Sequence, residues 1–165
     1  MPENFLARLF EHNNWANEQI MQACSALSDE QLDAPPQSAT EGSIRNTLSH
    51  LVSAQFGYLR LLTLPREERL DKVDVPFAEL AESLKDSGEK LLALAKETSK
   101  IPSARIHTRD NYQVEAWVIM VQIINHATEH REQIKSMLTA LGVTPPSIDG
   151  WDYGEVTNAL VPMAQ

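Results

Sequence analysis

Apolar side chains recur every three or four residues along four long stretches of this chain, a period that matches the α-helical turn. The first stretch carries Phe5, Leu9, Ala16, Ile20, Ala23 and Leu27 on one face, and the second Ile44, Leu48, Leu51, Ala54, Tyr58 and Leu61. The third shows Phe77, Ala81, Leu84, Gly88, Leu91 and Ala95. The fourth and longest shows Trp117, Met120, Ile124, Ala127, Ile134, Leu138 and Leu141, interrupted at Arg131. Helices near residues 3–26, 43–62, 76–97 and 113–141 each need a partner to cover their apolar face. The pattern therefore predicts an all-α fold, a four-helix bundle.

Local signals punctuate the period. Ser28-Asp29-Glu30-Gln31 has the form of a capping box, and Pro35-Pro36 stops whatever it starts. Ser43 is placed to cap the second helix, and Asp74 is a candidate cap for the third, with Pro76 in its first turn. Gly142 is placed to end the fourth. Residues 63–75 read as a surface connection. In the stretch 98–112, Arg105 to Thr108 is a candidate short strand, and Asp110-Asn111 a turn or a cap. No repeat or low-complexity segment divides the chain, so residues 1–165 are expected to form a single domain.

Charge and cysteine usage exclude several function classes. Asp and Glu number 23 against 14 Lys and Arg, for a net charge of −9, and no basic run is present. Binding to a phosphate backbone needs such runs, so no nucleic-acid partner is expected. The one cysteine, Cys24, permits no internal disulfide and no CxxC pattern, and reads as a small core residue. The N-terminus lacks a basic segment followed by an apolar run. The longest uninterrupted apolar run, residues 117–121, falls far short of the roughly 20 residues that span a bilayer. A cytoplasmic protein with no membrane partner is expected.

The sharpest chemical feature is His126-Ala127-Thr128-Glu129-His130. Histidines four apart on a helix stand one above the other, so both imidazoles can reach one metal ion. Extended at helical spacing, their face holds Ile119, Ile123, Gln133 and Met137, which turns it inward. Ala127 replaces the glutamate of the zinc-protease HExxH pattern, so that chemistry is not indicated. A third ligand must come from another helix. His50 is the best candidate, flanked at helical spacing by Asn46, Thr47, Ser53, Ala54 and Gly57, whose short side chains leave room for an ion and a substrate. Three histidines and an open position describe a catalytic zinc geometry. The alternative is that all three are hydrogen-bonded core residues. His12 falls on the stripe of the first helix and Glu129 at the edge of the His face, and both are candidate general bases. His107 lies in the irregular connection and reads as exposed. Trp15, Trp117 and Trp151 read as bundle packing.

Several segments resemble one family. His12-Asn13-Asn14-Trp15-Ala16-Asn17 resembles the first-helix start of the DinB family, and Gly42-Ser43-Ile44-Arg45-Asn46-Thr47-Leu48-Ser49-His50 is similar to its second-helix motif. His126 through Gln133, with the tail from Gly142 to Tyr153, resembles its HxxxHR-x-Q segment and Pro-Pro tail. One departure is His12, which stands where many relatives have tyrosine. The resemblance covers nearly the whole chain. It implies a bundle of up-down-down-up connectivity, often a homodimer. It also implies a divalent metal held by His50, His126 and His130, with zinc or nickel foremost and iron or manganese as alternatives. Activities in the wider family include transfer and isomerisation with low-molecular-weight thiols such as bacillithiol or mycothiol. A metal-dependent thiol S-transferase acting on a small molecule is thus the leading expectation. A metal-dependent hydrolase and a non-catalytic metal-binding stress-response protein are the alternatives.

Overall fold

A computed structural model describes residues 4–36, 42–69 and 75–163. The chain folds into helices α1 (Phe5–Ser25), α2 (Asp29–Leu32), α3 (Ile44–Thr63), α4 (Leu80–Lys96), α5 (Ala116–Ala140) and α6 (Gly150–Val156), with strands β1 (Ile106–His107) and β2 (Gln113–Val114). The all-α expectation holds. Among the described residues, no helix is long and apolar enough to cross a membrane.

Helix ends follow local chemistry. The Asn4 side chain accepts from the Ala7 backbone N–H at 3.1 Å, satisfying a donor that the first turn of α1 leaves unpaired. Ser28 and Gln31 form the expected capping box, but the helix it opens is only four residues long. Ser43 caps α3 by accepting from Asn46 N. At the end of α5, Gly142 takes φ +74°. That left-handed turn lets Val143 N reach Leu138 O at 2.9 Å and Gly142 N reach Thr139 O at 3.0 Å, which occupies the last carbonyls.

Two boundaries differ from expectation. The third helix begins as a 3₁₀ turn over Phe77–Glu79 after Pro76, and α-helical bonding starts only at Leu80. Leu80 is the first of that run to be fully buried, so packing decides where regular helix begins. The Asp74 cap lies outside the described residues. The fourth helix starts at Ala116 rather than near 113, because Gln113 and Val114 pair antiparallel with His107 and Ile106. Asn111, at φ 63°, turns the chain between the two strands.

α1 and α3 each pack against both α4 and α5. Asn4 Nδ2 donates to Ala95 O at 2.9 Å, so the start of α1 meets the end of α4. Gln55, midway along α3, meets Leu84 and Ser87, midway along α4. Two apolar clusters fill the interior. One joins Ala16, Ile20, Leu48, Val52, Leu84, Ile134 and Leu138, and the other joins Phe10, Leu59, Leu62, Leu91, Met120 and Ile123.

The buried face of α1 corrects the sequence stripe. Phe5 is 73% exposed and Leu9 51%, whereas Ala7, Phe10, Asn13, Ala16, Asn17, Ile20 and Cys24 face inward. Contact with both α4 and α5 keeps Ala16 and Ile20 of the stripe inside, turns Phe5 and Leu9 out and places two asparagines in the interior. Trp117 and Trp151 are likewise exposed rather than packed, and only Trp15 borders the core. Trp117 instead donates its indole N–H to Glu115 at 2.8 Å. Arg131, the apparent interruption of the α5 stripe, is 3% exposed and belongs to the interior.

Candidate metal centre

His126 and His130 stand one turn apart on α5, and their Nε2 atoms are 3.1 Å from each other. His50 enters from α3, with its Nε2 3.0 Å from His126 Nε2. One nitrogen from each of the three rings lies within 4.8 Å of the others. Nitrogens that share one ion at about 2.0–2.1 Å stand roughly 3.0–3.4 Å apart, and the His50–His126 and His126–His130 separations fall in that range, so the three residues could hold a divalent cation. Among the described residues the cluster consists of the three histidines, without a cysteine.

The surroundings prepare the rings for that role. His130 Nδ1–H donates to Gln133 Oε1 at 2.7 Å. That bond fixes the tautomer that leaves Nε2 as a lone-pair donor toward the cluster. Burial, and then the neighbouring His130 and His50, lower the His126 pKa to about 4. The ring is therefore neutral at neutral pH, as a ligand must be. His130 is buried, while His50 and His126 are half-buried and give the cluster an open side. The Tyr58 ring meets His126 edge-on at 5.7 Å, and Gln122 Nε2 donates to the Tyr58 hydroxyl at 3.5 Å. Both residues were legible in principle: Tyr58 lies eight residues after His50, and Gln122 four before His126.

The remaining candidates lie elsewhere. His12 Nε2 is bonded to Ile148 O at 3.0 Å, and its ring sits 5.6 Å from Tyr153 and 5.9 Å from Trp15. It ties α1 to the segment that leads into α6. Glu129 is exposed on α5, and His107 is exposed on β1. Cys24 is buried, and burial pushes its thiol pKa up to about 12, so it is not a nucleophile.

A second polar cluster, which the periodicity did not announce, begins one residue further along α5 and faces α1. The Arg131 guanidinium donates to Asn13 Oδ1 at 2.8 Å, Asn17 Oδ1 at 2.7 Å and Thr128 Oγ1 at 2.9 Å. Burial lowers its pKa to about 10, so it remains charged. The signal was present in the sequence as Asn13 and Asn17, four apart on an otherwise apolar arc.

A family model described as the DinB family matches residues 1–162 of the chain. No curated protein matches it.

Proposed function

The chain belongs to the DinB family, and we propose that it is a metal-dependent thiol S-transferase whose zinc or nickel ion is held by His50, His126 and His130. The observation that carries this reading is the convergence of three imidazole nitrogens, from two helices, within 4.8 Å. Three neutral donors describe a catalytic site with an open position, since structural sites are saturated by four protein ligands. A bound ion there supplies the positive charge that holds a thiol sulfur in its deprotonated form.

The protein's own groups do the rest. Gln133 orients His130, and the environment of His126 keeps that ring neutral. Tyr58 and Gln122 flank the cluster and offer a hydroxyl and an amide to a substrate's polar groups. The Cys24 thiol is buried and protonated, so the nucleophilic sulfur must come from a small molecule. As the new sulfur–carbon bond forms, the electrophile's leaving group departs with the bonding pair, and the thiol proton passes to solvent. A reducing compartment such as the cytoplasm keeps such thiols available. Hydrolysis is less well served, because Glu129 is exposed and His12 is bonded to Ile148 O.

Two copies pair in this reading, covering Phe5 and Leu9 of α1 and Trp117 and Val121 of the neighbouring α5, all exposed in the single chain. A Trp117→Asp variant should then run at half the wild-type mass in solution at micromolar concentration; a monomeric wild type removes the pairing.

Metal analysis of protein prepared without a histidine tag, then cobalt substitution and titration with cellular thiols, tests the chemistry. A sulfur-to-metal charge-transfer band that vanishes in the triple-alanine variant is expected. A stoichiometric ion with no such band across the thiol panel would remove the transferase, and absence of any ion would remove the metal reading too.

A further inference from the structure

Two members of the imidazole trio come from one helix and are neighbours by construction. The third is not. His50 meets His126 only if α3 holds its register against α5, and each residue of slippage moves a ligand by about 1.5 Å. Apolar contacts between helices are non-directional and tolerate sliding and rotation. Directional hydrogen bonds do not.

A chain of such bonds crosses the bundle next to the trio. Arg131, the residue after His130, donates to Asn13 and Asn17 of α1 at 2.8 and 2.7 Å. Asn17 Nδ2 donates to Gln55 Oε1 of α3 at 3.3 Å. Gln55 Nε2 donates in turn to Leu84 O at 3.0 Å and Ser87 Oγ at 2.7 Å on α4. All four long helices are joined, and Arg131, Asn13, Asn17, Gln55 and Ser87 are each at most 3% exposed. The chain begins one residue from one ligand and passes through α3 five residues from another.

The arrangement is not one that stability alone would favour. Arg131 is a buried cation whose direct partners are neutral amides and a hydroxyl. Asn13 turns its acceptor to the guanidinium, and among the described residues its buried Nδ2 finds no hydrogen-bond partner. Such an unmade bond is costly, and well-packed apolar groups often replace buried ionic groups without loss of stability. What the cluster adds is geometry.

We infer that Arg131 is a positioning residue for the trio, acting through Asn17 and Gln55 to fix the register that brings His50 to His126 and His130. The inference rests on the metal-binding reading above. The test compares Arg131→Met and Asn17→Leu with Leu138→Ala, a core change on α5 outside the chain of hydrogen bonds. Zinc affinity is measured by chelator competition, and the cobalt ligand-field spectrum is recorded, at a temperature where each variant is fully folded. Arg131→Met and Asn17→Leu should weaken zinc binding about 10–100-fold and alter the cobalt spectrum, the range seen when a ligand loses its supporting contacts. Leu138→Ala should weaken zinc binding by less than about 10-fold, the lower end of that range, even with a lower melting temperature. If Arg131→Met does not fold, Asn17→Leu carries the comparison. Wild-type affinity and spectrum in the folded variants would overturn the inference alone, as would equal weakening by Leu138→Ala. A wild-type chain that binds no zinc would overturn the metal reading and this inference with it.

Discussion

His130 and Arg131 are neighbours in the chain, yet one turns toward α3 and the half-buried cluster while the other turns toward α1 and the interior. Around His130, three imidazole rings bring their nitrogens together and keep an open side. Around Arg131, the amides of Asn13 and Asn17 aim their oxygens at a buried charge. The first cluster crowds like groups, and burial with mutual repulsion suppresses protonation of His126. The second pairs unlike ones. Polar groups that must receive a ligand are left convergent, and polar groups that must hold a register are turned onto one another. The first arrangement should therefore be expendable for folding, whereas the second should support the fold and reach the metal only through the register it holds, and substitutions can separate them.

The largest effect is expected at the trio. Replacing His50, His126 or His130 singly by Ala should abolish stoichiometric metal in tag-free protein. Apo-protein stability should move by about 1 kcal/mol or less for the two half-buried members, read by denaturant unfolding. Wild-type metal content in all three variants would dissolve the contrast. Next comes Asn17→Ala, which takes an acceptor from a buried guanidinium. Apo-protein stability should fall by about 1–3 kcal/mol, the cost of a buried polar group left unsatisfied. A change near zero would mean that water re-enters and the interior cluster is no more rigid than the open one.

Gln133→Leu sharpens the comparison from the other side. It removes the acceptor of His130 Nδ1–H, so zinc affinity should weaken about 10–100-fold while the fold persists. Unchanged affinity would show that packing alone orients the ring. The smallest effect is in the pH dependence of the apo-protein. The folded His126 pKa is lowered to about 4 from an ordinary value of 6.5. Between those values the unfolded chain binds the extra proton, so stability should decline as pH falls from 6.5 toward 4 and this contribution should level off below. A His126→Ala variant should show a shallower decline over the same window, and an identical profile would assign the slope to other groups.

The parts of the molecule read correctly from the sequence are those whose causes lie within a few residues. The capping box of Ser28 and Gln31, the Ser43 cap, the Gly142 stop and the His126/His130 pair all act over five residues or fewer. Helical period was legible for the same reason, since one turn sets it. The α6 cap, Asp149 with Asp152, was of this kind too, but a helix of seven residues carries too little period to stand out.

What only the tertiary structure decided is which arcs and which distant residues meet. Phe5, Leu9 and Trp117 look like core and are exposed, because neither α1 nor α5 chooses its covered side until its neighbours arrive. Asn13, Asn17 and Arg131 look like surface and are buried, because Arg131 lies 118 positions from Asn13 and no local window contains both. His50 and His126 are 76 residues apart. The sequence determined that four helices form and that two histidines share a face. The packing of α3 and α1 against α5 decided that a third histidine joins them and that an arginine beside them is enclosed. Interactions between neighbours in sequence act before the chain has a shape, whereas a buried charge and a shared ligand site exist only once helices far apart in sequence exclude water between them.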